Sequence, residues 1–272
     1  MNGIKSIFVA TLLLLTACGT PAQKAPDAAA PKSRLATAEA MFQERCKTAG
    51  EKIYRTAENV EGIFLMKLRP KGINYGDQFK MDDPYGRDLD GEGYIETFVR
   101  GSYELMRPKN PRPGWPPRLG YRYVEALDPK DGMRYRYTGR IDQPWLRDKR
   151  YGEWVREFVL DKVPAPADPP RYGITYDDIS THEEREYWIA GSSLKVIDLK
   201  TNEVMAERIG YMMDPGQGDN GGGRSPWLHA ADHACPDFHR FPDPVVVVPG
   251  ASAQIRQAQD FVEKVLKPIL EN

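Results

Sequence analysis

The sequence predicts an α+β fold, an antiparallel β-sheet with helices near the N- and C-termini, and three observations carry that prediction. Runs rich in Ile, Val, Tyr and Trp fill the middle of the chain. Apolar residues at helical spacing mark residues 33–49 and 252–269. Strands and helices do not alternate, as a parallel βαβ sheet would require. With 38 Lys and Arg against 39 Asp and Glu, the chain is nearly neutral and offers no electrostatic case for nucleic acid. Its 24 glycines and 23 prolines exceed the usual share of ~12%, so short strands and long loops are expected.

The N-terminus sets the compartment. Lys5 precedes an apolar run over residues 7–15, the charge-then-apolar order of a secretory signal and too short for a bilayer core of roughly 30 Å. At its end, Leu15-Thr16-Ala17-Cys18 resembles the lipobox of bacterial lipoproteins, where a small residue precedes the cysteine that is lipidated. The resemblance implies a signal peptide over 1–17 and a mature chain starting at lipidated Cys18. Gly19, where an Asp would resemble an inner-membrane retention signal, points to the periplasmic face of the outer membrane. Residues 18–32 contain three prolines and no large apolar side chain. They read as a tether, reaching about 45 Å at ~3.1 Å per residue. Residues 33–272 are long enough for one sizeable core and read as a single periplasmic domain.

Within that domain, Ser33 offers an N-cap, and Leu35, Ala38, Phe42, Cys46 and Ala49 follow at helical spacing until Gly50. Residues 53–55 and 62–68 suggest a hairpin that Pro70 ends. Asp82, Asp83, Asp88, Asp90 and Glu92 crowd around two glycines, but an EF-hand alignment puts Gly86 at the first ligand position and Thr97 at the bidentate one. A solvated acidic loop is the expectation. Residues 94–100 read as a strand, and Pro108 to Pro117 force an extended passage. Tyr121, Tyr123, Tyr135 and Tyr137 alternate with Arg122, Arg134 and Arg136 around a turn at residues 128–132, predicting a hairpin with one aromatic and one cationic face. A further strand is expected over 153–163. The clearest hairpin joins 187–199 to 203–213. A helix at the C-terminus, capped by Ser252, carries Ile255, Ala258, Val262, Val265, Leu266 and Ile269 on one stripe.

Three motifs carry possible chemistry. Ser192-x-x-Lys195 matches the serine–lysine pair of penicillin-recognising enzymes, but it lies in strand-like sequence, where positions three apart face opposite sides. The run 216–221 satisfies a dinucleotide fingerprint without the strand and helix that give it meaning, so it reads as a flexible loop. A short helix is expected from Ser225 through about His233. His229 and His233 on its face, with His239 or Cys235, would suit a metal. Cys235 has a competing use: with Cys18 lipidated, Cys46 and Cys235 are left to pair in an oxidising compartment.

Cys46-x-x-x-Gly50-Glu51-x-x-Tyr54 and Val60-Glu61-Gly62-Ile63 resemble the start of a group of proteobacterial lipoproteins, some encoded beside type VI secretion effectors. That resemblance implies an immunity role, with a secreted toxin as partner. The expectation is therefore a membrane-anchored lipoprotein that binds another protein and needs no cofactor, through an interface at Tyr121, Tyr123, Arg134 and Arg136. The alternatives are a metal-dependent envelope hydrolase built on His229 and His233, and a structural envelope lipoprotein.

Overall fold

The computed structural model describes residues 31–70, 77–87, 89–103, 120–238 and 253–269. The signal, Cys18 and most of the tether lie outside them, as do Asp88, the passage from Pro108 to Pro117, His239 and Ser252. The chain opens with helix α1 (Pro31–Cys46), strands β1 (Gly50–Ile53), β2 (Ala57–Val60) and β3 (Gly62–Leu65), and helix α2 (Gly91–Tyr103). It continues through β4 (Tyr123–Leu127), β5 (Arg134–Asp142), β6 (Glu157–Pro164), β7 (Tyr172–Asp178) and helix α3 (His182–Glu186). The long strands β8 (Ile189–Asp198) and β9 (Glu203–Met213) precede α4 (Pro226–Ala230), β10 (Ala234–Cys235), α5 (Gln257–Val265) and β11 (Leu266–Pro268). No helix among the described residues is long and apolar enough to cross a membrane.

The fold is α+β. One sheet runs β1-β9-β8-β7-β3-β4-β5-β6, with β10 also on β9, and β11 and β2 form a separate parallel pair. Pairing in the large sheet is antiparallel except at β3, which is parallel to both β4 and β7. Strands β4, β5 and β6, which lie between the proline-rich stretches 108–117 and 164–170, belong to the same continuous sheet. The expected hairpin of residues 53–55 with 62–68 does not form. Its supposed turn at residues 58–61 falls largely within β2, which pairs with β11, while β1 pairs with β9. Ile63 and Leu65 are fully buried, so β3 is a core strand that takes hydrogen-bonding neighbours on both edges.

Residues 94–100 are helix, not strand. Tyr94, Ile95, Phe98 and Val99 are all buried, and that i, i+1, i+4, i+5 set falls on one helical face but would be split across a strand. Each such side chain contributes about 1.5–3 kcal/mol on burial. Strand β7 has a clear period-two signal in Tyr172, Ile174 and Tyr176, masked by the prolines just before it. The C-terminal helix stops at Val265, four residues short of the expected Ile269, because Leu266 to Pro268 turns into a strand beside β2.

Alternation along β9 separates two layers. Ala206, with Leu194 and Val196 of β8, faces the core that contains Phe98 of α2 and Phe261 and Val262 of α5. Ile209, Tyr211 and Met213 face the other way, against Leu35, Ala38 and Phe42 of α1. The acidic loop is not simply solvated. Asp83 is completely buried, paired with the equally buried Arg69, and accepts a hydrogen bond from Ser192 Oγ at 2.7 Å. Asp82 pairs with Lys67 at 2.9 Å and accepts from the Tyr176 hydroxyl at 3.0 Å. The glycine-rich run is likewise organised: buried Asp214 accepts from the amides of Gly216 and Gly218 at 3.0 and 2.9 Å and pairs with Arg224.

Candidate functional site

Cys46, ending α1, is disulfide-bonded to Cys235 in β10, with Cα atoms 5.5 Å apart. The bridge fastens the N-terminal helix to the edge of β9 and occupies the Cys235 sulfur that a metal would need. Helix α4 ends at Ala230, so His233 lies beyond it, in the turn that leads to β10, and no helical face unites it with His229. Both histidines are exposed, and among the described residues no group of three His, Cys, Asp or Glu could hold a metal ion. Ser192 and Lys195 point to opposite faces of β8: the serine hydroxyl reaches buried Asp83, and the lysine reaches Asp177 at 3.2 Å.

The hairpin of β4 and β5 forms as the sequence predicts, pairing Val124 with Tyr137 and Glu125 with Arg136. Its side chains are used differently. Tyr121 is 0% exposed and its hydroxyl donates to the Leu266 carbonyl at 2.6 Å, so it belongs to the core and leaves the interface set. Burial pushes its phenol well above the ordinary value. Arg134 and Arg136 are not a solvated cationic face either. Both clamp Glu125, which is 0% exposed. Arg136 donates from Nε and Nη2 to Oε1 at 3.0 and 2.8 Å. Arg134 Nε lies 3.0 Å from Oε2, close enough for an ion pair although too poorly aligned to count as a hydrogen bond. Tyr123 packs its ring 3.9 Å from the Arg136 guanidinium carbon. Burial raises its phenol, an effect the Arg136 charge partly offsets.

Two features that sequence reasoning passed over stand out. The first is the connection between β5 and β6, residues 143–156, where Trp154 is 81% exposed and Leu146 61% exposed beside Arg147 and Arg150. The second is a pocket of about 400 Å³ at the opposite end of the strand order, between β1, β9 and α5. Arg208 of β9 lines it with Tyr85, Phe238 and Phe261. The absence of a side chain at Gly210 makes room for Tyr85, since a Cβ there would lie 2.1 Å from the ring. Burial raises the Tyr85 phenol to about 12, and the Arg208 charge opposes that rise. A sequence signal for the exposed tryptophan existed, because residues 143–156 combine two tryptophans with four basic residues. For Arg208 there was none: arginine in a strand reads as a solvent-facing position. No family model matches the chain, and neither a curated protein nor a solved structure matches it.

Proposed function

We propose that this chain is a lipid-anchored protein of the cell envelope that works by binding another protein, a secreted toxin being the partner class that the opening resemblance implies. The observation that carries the binding reading is the exposed tip of residues 143–156, with Trp154 and Leu146 open to solvent beside Arg147 and Arg150. A tryptophan left outside the core retains its 150–250 Å² for a partner to bury, and Trp and Arg dominate interface hot spots. The Leu15 to Cys18 junction supplies the anchor, and the tether keeps this surface near the membrane, raising its effective concentration for an incoming partner.

The test is a photo-reactive amino acid in place of Trp154 in the detergent-extracted full chain. The reading expects a covalent adduct with a single protein species, absent when the same residue replaces Lys52. Adducts with phospholipid alone would instead make the tip a membrane contact. Trp154→Ala should abolish capture while moving stability by less than about 0.5 kcal/mol, as expected at an exposed position. The anchor is tested separately: Cys18→Ala should take up no labelled fatty acid.

A further inference from the structure

Strand β6 closes one end of the strand order and pairs with β5 alone. Ala165 continues that pairing, its N–H donating to the Arg134 carbonyl at 3.0 Å. Hydrogen bonding alternates along an antiparallel ladder, so Glu157, Val159, Asp161 and Val163 turn their backbone groups to β5, whereas Phe158, Leu160 and Lys162 turn theirs outward. Among the described residues no backbone group meets them there, and every residue of β6 is half-buried or exposed. Sheet edges are ordinarily blunted by charge, by proline or by being short. Strand β1, at the other end, has only four residues, with Glu51 and Lys52 exposed. The eight residues of β6 lack that protection. The Lys162 ammonium is drawn inward, paired with Asp128 and 3.7 Å from the Tyr135 ring centre, while Asp161 is paired with Arg140 of β5 at 3.1 Å. Pro164 stands only at the last position, and Arg134 draws the chain that follows back towards β5 by donating to the Pro166 and Ala167 carbonyls. The remaining side chains are apolar on both faces, with Phe158 and Leu160 partly covered by the core and Val163 53% exposed.

We propose that the outer edge of β6 pairs antiparallel with β6 of a second copy of this chain, joining the two sheets across a two-fold axis at Leu160. A row of outward N–H and C=O groups is matched by another strand. The side chains of β6 select its own copy and a single register. With Leu160 opposite Leu160 of the second copy, Phe158 stands opposite Lys162, Val159 opposite Asp161 and Glu157 opposite Val163. No charge then faces its like. Outward residues must meet outward residues, so the register moves only in steps of two. One step sets Asp161 against Asp161, and the opposite step sets Glu157 against Asp161. Like charges directly opposite are destabilising, which leaves the register centred on Leu160. There the half-buried Leu160 is covered by its own copy, and the Phe158 ring lies beside the apolar stem of Lys162.

The experiment uses the detergent-extracted full chain and reads its mass by sedimentation equilibrium and its register by cysteine cross-linking. The unsubstituted chain should be a dimer without an intermolecular disulfide, since Cys46 and Cys235 are bonded to each other. On air oxidation Leu160→Cys should cross-link two chains, because Cα atoms of such a cross-strand pair lie about 5.5 Å apart, within disulfide reach. Val163→Cys should not, being about 20 Å from its copy. Val159→Glu keeps a partner in its own chain, Arg140 standing across from it, but sets a carboxylate against Asp161 of the second copy on both sides of the axis. It should weaken the dimer about tenfold, and adding Asp161→Lys should restore it. A chain that stays monomeric, or cross-linking at Val163→Cys as strong as at Leu160→Cys, would overturn the proposal. So would a dimer indifferent to Val159→Glu, as two chains merely sharing a micelle would be, or a loss that Asp161→Lys does not rescue.

Discussion

Two arginines of β5 and one of β9 lie near opposite ends of one sheet and have opposite fates. On β5, Arg136 stands directly across from Glu125, and Arg134 reaches the same carboxylate from two pairs further along, where it faces Leu127. On β9, Arg208 stands across from Leu194 of β8 on one side and from Glu51 of β1 on the other, but Glu51 is paired with Lys264; its neighbour Glu207 points to the other face, where it accepts from Ser193. The residue type is the same in both places and a glutamate stands across from Arg136 and from Arg208, so the difference is whether that carboxylate turns to the arginine or to another cation. Where the carboxylate turns to the arginine, the cation is neutralised inside the protein and has little left to offer a ligand. Where it turns to a lysine instead, two N–H groups of the arginine stay buried without a hydrogen-bond partner. An arginine-rich strand is therefore weak evidence for an interface until its opposite strand is known.

The strongest way to break the comparison is to reverse the satisfied pair. The double change Arg134→Glu, Arg136→Glu would surround a buried carboxylate with two more, and losing the partners of a buried charge costs about 3–5 kcal/mol. That is a large share of the 5–15 kcal/mol that typically holds a domain together. Urea denaturation should show the loss directly, and an unchanged midpoint would mean that Glu125 does not depend on these arginines.

The second intervention acts on the other end. Cysteines 46 and 235 are 189 residues apart, and the chain-entropy model gives a loop of that length roughly 5 kcal/mol, an upper bound from which native strain and denatured-state structure subtract. Replacing both cysteines by alanine should cost about 2–4 kcal/mol. Hydrogen exchange should also quicken in α1 and in the pocket wall that follows Cys235, while β4 and β5 keep their protection. Titration of the unreduced, denatured protein should find no free thiol at either cysteine.

The smallest effect sharpens the comparison at the exposed tip. A two-pronged hydrogen bond from Arg147 lowers the Asp142 carboxyl from 3.8 to about 2. Because the folded value lies below the unfolded one, the contribution is complete above about pH 4 and is lost as pH falls through about 2. Arg147→Ala should return the Asp142 titration towards 3.8, observable by NMR. The pair is open to water, so stability at neutral pH should barely move.

Legibility tracked locality. The hairpins β4–β5 and β8–β9 could be read because each is closed by a short turn between alternating runs. The stripe of α1 could be read because helical periodicity is local as well. Helix α2 was misread because its aromatic and β-branched residues favour strands as isolated types, and only their burial as one face reveals the helix. Strand β3 could not be assigned a partner, since both of its neighbours are distant in sequence and neither announces itself by a turn.

By itself, then, the sequence determined the α+β class, the long hairpins and the terminal helices, because short-range periodicity and turn chemistry act within a few residues. It also carried the lipobox resemblance. Tertiary structure alone decided that Tyr121 is a core residue, that Arg134 and Arg136 are spent on Glu125, that His229 and His233 do not share a helical face, and that Arg208 is buried with two donors unsatisfied. Burial and pairing of a charge depend on which distant strand lies across from it. A one-residue change of register would move every side chain of that strand to the opposite face.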